Sequence, residues 1–145
     1  MHLTQHTDYA LRVLIYLAVN ADRLVTIAEV SERFGISRSH LMKIANHLVR
    51  DGFVEGLRGK GGGLRLARAP EAVNVGAVVR SMERGMALVE CFGTGSQCLL
   101  TPDCRLKGVL GRALEAFLQT LDKVSLAELV DEPQREVLHI LRRSA

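Results

Sequence analysis

The chain has no tryptophan, and aromatic side chains make up only 4% of its 145 residues, so aliphatic side chains must fill its core. It also lacks a membrane-length apolar run. The longest uncharged stretch near the N-terminus, Val13 to Ala21, falls far short of the roughly 20 residues a spanning helix needs. Asp8 and Arg12 precede it where a secretory leader carries only positive charge, so a cytoplasmic protein with no membrane partner is expected. No repeat or low-complexity tract is present. The five histidines are scattered and form no acid/base constellation, and no nucleotide fingerprint appears, so an enzyme is not expected. Cysteine is scarce too. Three cannot all pair within one chain, and a reducing compartment keeps them as thiols, so their crowding between residues 91 and 104 points to a metal or a redox role.

What is present is unevenly distributed. Residues 1–69 carry ten Lys+Arg against six Asp+Glu, whereas residues 70–145 carry nine against ten. Within 38–68 there are seven basic residues and two acidic ones, the footprint of a polyanion-binding face. The chain is therefore read as two parts, 1–69 and 70–145, joined at Ala69-Pro70-Glu71.

In the first part, Thr7 is a candidate cap for a helix with Ala10, Leu11, Leu14, Ile15, Leu17 and Ala18 at helical spacing. Thr26 with Glu29 reads as a capping box opening a short helix that Gly35 stops. Ser37 caps a third helix whose buried stripe is Leu41, Ile44, Ala45, Leu48 and Val49, and Asp51-Gly52 ends it. Two helices joined by a tight turn are the helix-turn-helix pattern. Phe53-Val54 and Leu64-Leu66 then flank Arg58-Gly-Lys-Gly-Gly-Gly63, which reads as a β wing on a flexible basic turn. The outer side of the third helix presents Ser37, Arg38, Ser39, His40, Lys43, Asn46, His47 and Arg50, groups that hydrogen-bond base edges and phosphates. Arg58, Gly59, Lys60 and Gly61 form a narrow tip suited to a minor groove. The expected partner is double-stranded operator DNA.

In the second part, Asn74 caps a helix of Val75, Val78, Val79 and Met82. Cys91, Cys98 and Cys104 follow with six and five residues between them, wider than the two to four usual for structural zinc, on a loop rich in Gly, Ser, Thr and Pro. Such a loop can wrap an iron-sulfur cluster, and a thiol switch is the other reading. From Arg105 to Leu121, Leu106, Val109, Leu110, Ala113, Leu114, Phe117, Leu118 and Leu121 make a long amphipathic helix, for which pairing with a second copy is the economical use. Ser125 with Glu128 is a further capping box. The fold class expected is mainly α with a small β wing, a winged helix-turn-helix plus a long dimerisation helix.

Three features together carry a resemblance: Leu3-Thr4 to Asp8-Tyr-Ala-Leu-Arg12, the wing 58–63, and three cysteines before Arg105-Leu106. The chain resembles the iron-sulfur winged-helix regulators that include IscR and RirA. Cys98-Leu-Leu-Thr-Pro-Asp-Cys104-Arg-Leu-Lys and Leu126-Ala-Glu-Leu-Val130 are most similar to the NsrR type within that family. The resemblance implies a homodimeric transcriptional repressor that senses nitric oxide through a cluster, 4Fe-4S in preference to 2Fe-2S, held by Cys91, Cys98 and Cys104. It implies Asp8 of the second subunit as fourth ligand. Read from the residues alone, Asp8 is instead a helix-dipole partner paired with Arg12. IscR-like members are expected to offer a histidine shortly after the third cysteine, where this chain has Lys107. The alternative function is a thiol- or zinc-based redox-sensing regulator on the same DNA module.

Overall fold

A computed structural model describes residues 2–130 and 135–138. The elements run α1 (Gln5–Val19), α2 (Ile27–Phe34), α3 (Arg38–Arg50), β1 (Val54–Leu57), β2 (Gly63–Leu66), α4 (Val75–Met82) and α5 (Arg105–Asp122). Short 3-10 turns occupy Pro70–Ala72, Glu90–Phe92, Thr101–Asp103 and Leu126–Leu129. This is the mainly helical winged helix-turn-helix expected from the sequence.

Local capping sets most boundaries. Ser37 accepts from the His40 amide, Asn74 from the Ala77 amide, and the Ser125/Glu128 box is complete. Two of the expected caps are corrected. The cap of α1 lies three residues before Thr7, at Thr4; Thr7 is fully buried and donates its hydroxyl to Glu83 Oε1 at 2.5 Å. Thr26 does cap α2, but the Glu29 carboxylate does not return to it. That carboxylate takes the Tyr16 hydroxyl at 2.6 Å and a two-pronged Arg23 guanidinium. A charged partner in a half-buried place is a stronger acceptor contact than an exposed cap, so the tertiary bond wins.

β1 and β2 pair antiparallel, Val54 opposite Leu66 and Leu57 opposite Gly63. The bridge from Val25 to Leu64 (2.9 and 2.7 Å) ties this wing to the approach to α2. Gly59 (φ 96°) and Gly61 (φ 79°) turn the tip through the left-handed region, where a side chain would be strained. The core is aliphatic as expected, and it draws on both sides of the 69/70 division. Ala10, Leu14 and Leu17 of α1 and Leu41, Ile44 and Leu48 of α3 are continuous with Val73, Val78, Met82, Leu126 and Val130. The winged helix therefore closes with help from the second part. Leu126 N–H donates to Val73 C=O at 2.8 Å, and Arg80 forks onto Asp122.

α5 buries little of its stripe within one chain. Leu118 is buried, and Leu114 and Phe117 line a recess with Leu3, Met86 and Leu88, whereas Leu106 is 62% exposed and Val109 50%. Val49, expected in the α3 stripe, is 41% exposed beside the wing.

Candidate nucleic-acid interface and cysteine loop

The seven basic residues of 38–68 separate by what they hold. Arg65 pairs with Glu55 across the wing (2.9 Å), Arg50 with Asp51 (3.0 Å), and Arg68 donates to Gly52 C=O while lying over the Phe53 ring. Arg38, Lys43, Arg58 and Lys60 have no ion pair among the described residues, and all four are exposed. Those four are the cations expected to meet DNA. Arg38 and Lys43 lie on α3 beside exposed Ser37, Ser39 and Asn46, and Arg58 and Lys60 lie at the wing tip with Gly59 and Gly61.

His40 is only half-exposed, with its ring stacked near His6 (centroids 6.1 Å apart) and edge-on to Tyr9 (5.2 Å). His47 does not belong to the outer face: it is 8% exposed and turned toward α1. Its Nδ1 lies 3.2 Å from His6 Nε2 and its Nε2 lies 3.2 Å from Asp51 Oδ2, so one proton on each Nε2 satisfies both contacts. Desolvation, then the cationic forms of His47, His40 and Arg84, hold His6 below the ordinary histidine pKa. The Ser81 hydroxyl, then Arg50 and His47, hold Asp51 below the usual carboxylate range. The recognition helix is thus braced against the start of α1. The 3.6-residue period placed His47 at the edge of the polar face, and only packing against His6 turned it inward.

A recess on that side of α3 gathers His6, Lys43, Asn46, Arg50, Glu83 and Arg84. Arg84 was missed in the sequence because it lies well outside the 38–68 charge cluster.

The cysteine loop is looser. Cys91 lies in the 3-10 turn Glu90–Phe92 and is half-buried, Cys98 is exposed, and Cys104 caps α5, its sulfur accepting from the Lys107 amide at 3.4 Å. All three are free thiols. Among the described residues no three His, Cys, Asp or Glu side chains converge as a metal site. Asp8 is not brought to the cysteines of its own chain: it forks with Arg12, 2.7 Å at Nη2 and 3.1 Å at Nε, in an exposed ion pair. The donor set suits iron chemically, because three accessible thiols are soft ligands not consumed by a disulfide. One chain leaves that set unassembled.

Comparison with known proteins bears on the family and the fold. Residues 3–132 match the Rrf2 family model, described as an iron-dependent transcriptional regulator. The chain is 47% identical over 132 residues to the HTH-type transcriptional regulator NsrR of Bacillus licheniformis, covering 90% of this chain and 92% of that one. It is 46% identical over 134 residues to the NsrR of Geobacillus kaustophilus, covering 91% of each. Among solved structures, T. potens IscR superposes with a TM-score of 0.74 at 24% identity (92% of this chain, 91% of that one). Staphylococcus aureus CymR superposes at 0.71 and 22% (88% and 97%); at such identity both show the fold alone. No helix among the described residues is long and apolar enough to cross a membrane. With the helix-turn-helix, its basic wing and the match along nearly the whole chain, this protein belongs to the Rrf2 family of iron-dependent transcriptional regulators, which are not enzymes.

Proposed function

We propose that the chain is an iron-sulfur-dependent transcriptional repressor of the cytoplasm that binds operator DNA as a homodimer and responds to nitric oxide. The observation that carries this reading is the trio of free, accessible thiols on one irregular loop, in a chain 46–47% identical to NsrR regulators. Residues 1–69 are the DNA-binding part. Ser37, Arg38, Ser39, His40 and Lys43 meet the major groove, and Arg58, Gly59, Lys60 and Gly61 meet the backbone or minor groove. Residues 70–145 carry the cysteine loop and the assembly helix.

Cys91, Cys98 and Cys104 would hold the cluster, 4Fe-4S in preference to 2Fe-2S, with Asp8 of the second subunit as fourth ligand. When bound, the cluster supplies iron that reacts with nitric oxide. The chain's own residues do the rest. Cys104 caps α5, so a change at its sulfur acts on the first turn of the helix whose exposed Leu106 and Val109 suit a twin. Asp8 must leave its Arg12 fork to ligate, which makes it a weaker anchor than the thiols. The distance between two α3 helices must match operator half-sites about one DNA turn apart or a multiple, so a small change between subunits costs affinity.

Anaerobic purification tests the proposal. A brown dimer with iron and acid-labile sulfide, whose absorption changes with nitric oxide and whose operator affinity then falls, is the expected result. A colourless protein with zinc or only thiols would replace it with the redox-regulator reading.

A further inference from the structure

The recess beside α3 has no part in the cysteine chemistry, yet it is built from three separate stretches of chain. Lys43, Asn46 and Arg50 come from α3, His6 from α1, and Arg84 from the segment that follows α4. We propose that this notch binds a DNA backbone phosphate on the flank of the recognition helix opposite the wing. The inference rests on the DNA-binding reading above and adds Arg84, a residue of the second part, to the interface.

The argument begins with the groove. A helix seated in a major groove about 12 Å wide runs between two phosphate walls. On α3 the buried stripe is Leu41, Ile44, Ala45 and Leu48. Val49 lies to one side, near Gly56 of the wing, and His47 lies to the other, against His6 of α1. The wing tip with Arg58 and Lys60 therefore serves one wall, and the notch faces the other.

The charge in the notch is available for a ligand. Lys43 and Arg84 have no ion pair or hydrogen bond among the described residues, and both are exposed. Arg50 gives Nε to Asp51, and its side chain is largely exposed. The two nearby carboxylates are already engaged. Asp51 accepts from Arg50 and Ser81. Glu83 accepts from the Thr4 amide (2.8 Å), the Thr4 hydroxyl (3.0 Å) and the Thr7 hydroxyl (2.5 Å). Burial alone would push Glu83 up, and these donors outweigh it and keep the carboxylate charged. The same three bonds lock the end of α4 onto the start of α1, so Arg84 is delivered from a rigid anchor.

The test uses the full-length protein and a 30-base-pair duplex selected by that protein from a randomised pool, with binding followed by fluorescence anisotropy between 50 and 300 mM KCl. Arg84→Ala should bind about three- to tenfold more weakly at low salt, and its salt slope should fall by about one. Arg84→Lys should recover most of the affinity, since a phosphate accepts a point charge. Lys123→Ala, a cation at the opposite end of α4 next to the Val75–Val124 contact, should change neither. Circular dichroism melting should be the same for all. If Arg84→Ala keeps the parent affinity and slope while Lys60→Ala loses both, the notch is overturned and the wing stays in the interface. If neither variant changes binding, the DNA face itself has been misplaced and the notch falls with it.

Discussion

The DNA-facing region and the cysteine loop are built on opposite principles. In residues 2–68, α1, α3 and the wing share one aliphatic core, and two of its bordering polar side chains are held by others: Glu29 by Tyr16 and Arg23, His47 by His6 and Asp51. In residues 85–104 no side chain joins that core, two 3-10 turns are the regular structure, and the thiols are free. The first region is preorganised by its own chain. In the second, no three potential metal ligands converge among the described residues of one chain. Preorganisation lowers the entropy lost on binding DNA, whereas an unassembled ligand set leaves the loop responsive to what it binds.

The largest effect that would sharpen this contrast is expected at the thiols. Cys91→Ser, Cys98→Ser or Cys104→Ser should each abolish stable cluster loading in anaerobic reconstitution, while the melting of the metal-free protein stays within about 0.5 kcal/mol of the parent. Retained iron and sulfide in all three would remove the loop from the cluster site. At α5, Val109→Glu should turn a dimer into a monomer, because it places charge in an apolar seam. Light scattering showing a dimer would move the assembly surface elsewhere.

Within the preorganised region, Leu41→Ala empties a fully buried position and should cost about 2–5 kcal/mol by denaturant unfolding. A loss below about 1 kcal/mol would break the comparison by showing that α3 is held loosely. Glu29→Gln should cost about 1–3 kcal/mol at neutral pH, since Arg23 loses its charged partner. The Arg23 guanidinium holds the Glu29 carboxyl below its ordinary 4.5, against burial and with help from Tyr16. A depressed folded pKa contributes stability that is fully present above the unfolded value and disappears as pH falls through the folded one. The gap between parent and variant should therefore close below about pH 4.5, and a gap constant down to pH 3 would assign Glu29 another role.

At Asp8 the effect on folding is small. Asp8→Ala removes an exposed ion pair and should cost under about 1 kcal/mol, yet it should alter the spectrum of the loaded cluster and its nitric oxide titration. Arg12→Ala, which breaks the same pair, should leave that spectrum alone. Identical spectra for Asp8→Ala and the parent would leave the fourth position to another donor.

Short-range information accounts for how much of this was legible. Helix starts at Ser37, Asn74 and Ser125 were readable because a cap bonds an amide three residues away. The basic wing was readable because glycines at a hairpin tip permit positive φ. The three cysteines stood out by their crowding between 91 and 104, while the assignment of a ligand role to them and to Asp8 came only from the family resemblance. Arg38, Lys43, Arg58 and Lys60, unpaired among the described residues, were already in the expected DNA face.

Composition and periodicity by themselves determined a mainly helical chain with an aliphatic core, a winged helix-turn-helix with a basic face, and three thiols on a polar loop. Only the tertiary structure decided that Thr7 meets Glu83, 76 residues away, and that Glu29 leaves its cap for Arg23 and Tyr16. It also turned His47 inward and brought Arg84 and Lys43 to the lining of one recess. Those choices depend on which polar groups burial forces to share a small space. A group removed from water takes the strongest partner within reach, whatever its distance along the chain.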